Sequence, residues 1–138
     1  MALLSATPLL VIALLAYNAV VFFGGDAATL SNGLFSTHLI SGAEWTVTVA
    51  DLLLAFGLLL LYVEVSKATR TTASAVINHT LSTLVFVAFL VEFLTVGKAG
   101  TSTFFILMLM SLVDVVAGFT VSIVSARRDI GLDERVNL

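Results

Sequence analysis

Residues Met108–Phe119 read MLMSLVDVVAGF, an apolar run with one carboxylic acid, Asp114, near its middle. The run extends in both directions without another charge, from about Ser102 to Ala126. A helix crossing a hydrocarbon core of about 30 Å needs about 20 mostly apolar residues, so 102–126 reads as a transmembrane helix. Asp114 lies twelve residues past Ser102, about 18 Å along a helix that rises 1.5 Å per residue. It therefore has no interfacial escape. A central Asp costs about 2.5–3.5 kcal/mol on insertion scales, which the surrounding apolar turns can absorb if something receives the carboxyl group. The pattern of the helix says where the acid points. Ser111, Asp114, Gly118, Ser122 and Ser125 recur at steps of three and four and form one small, polar stripe. Small residues let helices approach closely, and hydroxyls bond across the gap. Phe105, Leu112, Val116, Phe119 and Ile123 occupy the other faces, with Thr120 able to bond a carbonyl of its own helix one turn back. Asp114 is expected to face the bundle interior or a second subunit.

The rest of the chain shares this character. It is 59% hydrophobic and 11% charged over 138 residues, with a mean hydropathy of +1.14; soluble domains are about 45–50% apolar and about 25% charged. The solvent implied is lipid. Three further apolar segments, about 3–23, 51–67 and 74–96, complete an all-α membrane protein with four transmembrane helices in a single domain, followed by a polar tail, 127–138. MALLSATP carries no Lys or Arg, so the first segment reads as a retained helix rather than a cleaved signal. Its regular part should start near Thr7, because Pro8 is tolerated only in a first turn. The net charge of -3 and the lack of basic clusters give no reason to invoke nucleic acid. The absence of cysteine rules out thiolate metal sites and disulfides. No metal or cofactor is expected.

Basic residues in short loops set the orientation. Lys67 and Arg70 lie between helices two and three, and Arg127 and Arg128 follow helix four. The first loop has none, and the third has only Lys98. Both termini and the middle loop are therefore expected in the cytoplasm. Within the first loop, LFSTHLISGAEWTVTV alternates on both sides of SGAE, the mark of two strands and a Gly-containing turn. A hairpin over about 34–49 is favoured over an interfacial helix spanning Ala27–Ile40, with Trp45 as an anchor at the headgroups. Asp51 then stands where helix two begins, as a cap or as a carboxylate at an outer mouth.

The remaining polar residues fall by depth. Glu64 reads as a surface partner of Lys67 three residues on, with no special role. His38 and His79 lie at opposite ends and cannot share a metal. Glu92, at least a turn inside helix three, pairs with Lys98 or contributes to an intramembrane site. Asn78, Ser82 and Glu92 of helix three, Tyr62 of helix two, and Tyr17 and Asn18 of helix one can partner Asp114. With no Lys or Arg at its depth, Asp114 is expected to be neutral. The candidate intramembrane site is thus Asp114, Glu92, Asn78 and Ser111.

SGAEWTVTVADLL (41–53), TSTFF (101–105) and AGFTVSIVSARRD (117–129) resemble small four-helix inner-membrane proteins of proteobacteria. The resemblance implies a bacterial inner membrane and adds no catalytic or binding residue. No reactive constellation exists, so the expected function is a non-enzymatic accessory or scaffold protein. It would pack against itself as a homo-oligomer or join a larger membrane complex. The alternative is a small oligomeric proton or cation transporter that uses the intramembrane carboxylates. Reporter fusions after Leu138 and within 67–72 should read as cytoplasmic, and one within 32–44 as external. An external C-terminus would overturn the orientation.

Overall fold

The computed structural model describes residues 7–68 and 74–136. The described residues form four α-helices: α1 (Leu10–Phe23), α2 (Val49–Ala68), α3 (Ser74–Thr95) and α4 (Ser102–Val136). Between α1 and α2 lie a short 3₁₀ turn, Ala27–Ser31, and an antiparallel hairpin of β1 (Gly33–His38) and β2 (Glu44–Thr48). A second 3₁₀ turn, Gly97–Ala99, joins α3 to α4.

Among the described residues three stretches are long and apolar enough to cross a membrane: Val49–Ala68, Ile77–Thr95 and Ser102–Arg128. The first segment falls short of the expectation. Its described helix has 14 residues, about 21 Å at 1.5 Å per residue, against about 30 Å of hydrocarbon. Pro8 sits before the helix, accepting from Val11 N–H at its carbonyl, and the regular ladder starts only at Leu10. The segment's expected beginning at Leu3 lies outside the described residues. A second difference is at the other end. The tail was expected to be a polar extension beyond the last helix, yet α4 runs unbroken to Val136. Arg, Leu and Glu are good helix formers, no Pro interrupts them, and extending an existing helix needs no new nucleus.

The hairpin pairs Phe35 with Val47, Ser36 with Thr46, Thr37 with Trp45 and His38 with Glu44. Opposite residues share a face. One face thus carries Phe35, Val47 and Trp45, while Ser36 and Thr46 join hydroxyls at 2.6 Å on the other. The turn closes through Gly42 N–H to the Leu39 carbonyl, with Gly42 at φ 85°, a conformation that a Cβ disfavours. Val47 is buried, and Val49 N–H donates to the Asn32 carbonyl, which seats the hairpin on the end of α2. The cap of α2 differs in detail from the expectation. Thr48 is the N-cap, its hydroxyl accepting from Asp51 N–H, while the Asp51 carboxylate accepts from the N–H and hydroxyl of Thr48. This is a reciprocal capping box with Asp51 at its third helical position.

At the hairpin end the helices close on aromatic residues. Tyr17 and Phe104 meet edge-on with ring centroids 4.8 Å apart, and Phe89 and Phe93 flank Phe104 at 5.3 and 6.3 Å. The Tyr17 hydroxyl donates to the Lys98 carbonyl at 2.9 Å and lies 2.7 Å from Thr101 Oγ1. Midway along α2, Gly57 lets α4 approach: a Cβ there would lie 2.5 Å from Leu107 Cδ2 and 3.2 Å from Met110 Sδ. Gly57→Val should therefore overpack this contact and destabilise the bundle by about 1–3 kcal/mol. Gly57→Ala should be close to neutral, since a turn of the Leu107 tip is offset by about 1 kcal/mol of helix propensity. Thermal melting in detergent would distinguish the two.

Candidate functional site

The polar interior divides into two groups at opposite ends of the bundle. The group at the end away from the hairpin is built around Glu64, which the sequence reading had placed at the surface. Its side chain is 1% exposed. Leu53, Gly57 and Glu64 repeat at four and seven residues and make the buried edge of α2. The glycine that admits α4 lies on the same face as the acid two turns later. That spacing was the available signal, and the Lys67 neighbour masked it.

Three donors converge on the Glu64 carboxylate. Leu9 N–H reaches Oε2 at 3.0 Å, Lys67 Nζ reaches the same oxygen at 3.0 Å, and Asn78 Nδ2 reaches Oε1 at 2.7 Å. The first of these solves a local problem of α1. No side chain of its own N-cap residue serves the free N–H groups of its first turn, which every helix leaves unpaired. A carboxylate from α2 caps it instead, and places negative charge at the positive end of its dipole. Lys67 also donates to the Thr7 carbonyl at 3.1 Å. With its side chain 24% exposed, it spans from the buried acid toward solvent.

One turn further into the bundle lies Asp114, 5% exposed. It takes a hydrogen bond from Ser82 and lies within electrostatic reach of Glu64 and, less strongly, Lys67. Ser82 follows Asn78 by one turn on α3, and Ser111 precedes Asp114 by one turn on α4. The structure thus brings Asp114, Asn78 and Ser111 together with Ser82 and Glu64. It does not bring Glu92 to them. Glu92 belongs to the hairpin end, where its charge acts on Tyr17. Lys98 is engaged there by the Gly25 carbonyl at 2.9 Å and by the Phe22 ring at 4.9 Å. Among the described residues the one ion pair is Glu64–Lys67. Tyr62 points outward, and Tyr17 is held by Lys98 and Thr101, so neither partners Asp114.

The polar stripe of α4 is only partly interior. Ser111 and Asp114 are buried, while Ser122 is exposed and donates back to the Gly118 carbonyl; the side chain of Ser125 lies outside the described residues. Gly118 serves packing: a Cβ there would collide with His79 Nδ1. The imidazole fills that notch, edge-on to Phe119 with centroids 4.0 Å apart. Thr120 bonds the Val116 carbonyl one turn back. Three buried polar atoms of this region have no partner: Asn78 Oδ1, His79 Nε2 and Ser111 Oγ.

No protein-family model matches the chain, and no curated protein or solved structure matches it significantly.

Chemically, the arrangement can clamp helices and hold a charge or proton in the bundle. Glu64→Ala should strand the Leu9 N–H, Lys67 and the Asn78 amide together. The expected loss is about 2–4 kcal/mol, at the low side of a broken buried pair because Lys67 can turn to solvent. Asn78→Ala removes one donor from Glu64 and should cost about 1–3 kcal/mol. Detergent unfolding curves would measure both, and a Glu64→Ala protein as stable as wild type would remove Glu64 from its central place.

Proposed function

We propose that the chain is a non-enzymatic integral membrane protein of four spans, an accessory or scaffold component of a membrane assembly. The observation that carries this reading is the use made of the buried polar groups. Glu64 joins α1, α2 and α3, and Tyr17 joins α1 to the α3–α4 connection. Polar groups spent this way hold helices together. The outward faces of α2, α3 and α4 are apolar, with Leu59, Leu84 and Val116 among their exposed side chains, and suit lipid or another membrane protein. The positions of Lys67, Arg70, Arg127 and Arg128 support cytoplasmic termini, and the resemblance of 41–53, 101–105 and 117–129 supports a bacterial inner membrane.

Transport is the second reading, favoured by two buried acids near one another. Its relay would use Glu64 and Asp114, since Glu92 stands at the other end. Cross-linking in native membranes, followed by purification in mild detergent, should recover the chain within a higher-mass assembly. A monomer in membranes, coupled with dissipation of a pH gradient in vesicles that Asp114→Asn abolishes, would replace the scaffold reading with transport.

A further inference from the structure

We infer that the polar layer between α3 and α4 at Asp114 is a binding site for one small monovalent cation of the Na+ class. The inference goes beyond the scaffold reading and does not depend on it. Two buried oxygens motivate it. Ser111 Oγ belongs to a residue 1% exposed, and Asn78 Oδ1 to one 9% exposed, and neither atom has a hydrogen-bond partner. Buried polar atoms are seldom left unpaired, because each forfeits its hydration. Both atoms sit one helical turn from the Ser82–Asp114 contact, Asn78 on the α3 side and Ser111 on the α4 side.

The chemistry of the donors selects the ligand. A carboxylate, an amide carbonyl and two hydroxyls form an all-oxygen set, which suits hard cations rather than soft ones. All four groups can accept, and the carboxylate and the amide oxygen accept only, so the set as a whole favours a cation over an anion. Charge then fixes the valence. Glu64 is balanced by Lys67 at 3.0 Å, whereas Asp114 has no cation of its own within ion-pair distance among the described residues. One positive charge makes the layer neutral. Two would leave a net charge deep between transmembrane helices, where charge is expensive.

The test uses the full chain in detergent at pH 8, with NaCl exchanged for N-methylglucamine chloride at constant ionic strength. A ligand that binds only the folded state raises stability with its concentration. The expected result is a saturable rise in Tm with Na+, matched by saturable 22Na+ binding near one per chain. Asp114→Asn and Ser111→Ala should each lose that response, while Ser122→Ala, altered at an exposed hydroxyl of the same helix, should keep it. If Asp114→Asn does not fold, Ser111→Ala still decides. A wild-type Tm indifferent to Na+ overturns the proposal and leaves the two oxygens to a buried water beside a protonated acid. A response retained in both Asp114→Asn and Ser111→Ala overturns it as well, by placing the ion elsewhere.

Discussion

The bundle depends on the carboxylate of Glu64. A charge within an apolar helix is tolerated only when every lone pair that matters finds a donor. Here the donors come from different places: the start of α1, the side chain of Lys67 on α2, and Asn78 on α3. The need to satisfy one acid therefore fixes where three helices meet. It also explains how a short α1 begins in a defined place after Pro8, since its first free N–H is met by an acceptor from its neighbour. The same acid that raises the cost of an unassembled chain selects a single assembled one.

Two glycines on α2 and α4 complete that constraint. Gly57 brings α4 against α2 through Leu107, and Gly118 admits the His79 ring from α3. Because dispersion falls steeply with distance, such close approach matters most where no hydrophobic force drives helices together. The interior is consequently layered. Aromatic rings gather around Phe104 at the hairpin end, and hydrogen-bonding groups gather around Glu64 and Asp114 at the other. The hairpin follows from the first layer. Its Val47 is buried, whereas most of its other side chains are open to the surroundings, with Ile40 at the tip the most exposed.

This layering separates two acids that the sequence groups together. Glu92 and Asp114 both interrupt apolar runs, yet α3 and α4 are antiparallel and carry them at different depths. Glu92 faces the Tyr17 region and Asp114 faces Ser82. The acid that Asp114 gains as a neighbour is Glu64, which carries its own counterion. An acid paired with a cation and an acid held by a hydroxyl thus occur within a few turns here.

The sequence by itself determined the helical class, the three long apolar spans, the hairpin around SGAE and the inward placement of Ser111 and Asp114 on α4. Each of these is written in a local period, of two or of 3.6 residues, and a local period needs no knowledge of distant partners. The Thr120 bond to its own helix was legible for the same reason. Only the tertiary structure decided that Glu64 is buried, that Glu92 stands apart from Asp114 and that Tyr62 faces outward. Depth along a helix can be counted from a sequence, but azimuth relative to a neighbour is set by packing. Lys67 three residues from Glu64 looks the same in sequence whether the pair lies on a surface or closes over a core. What separates the two cases is the donors supplied by Leu9 and Asn78, 55 and 14 residues away, and no local pattern carries that distance.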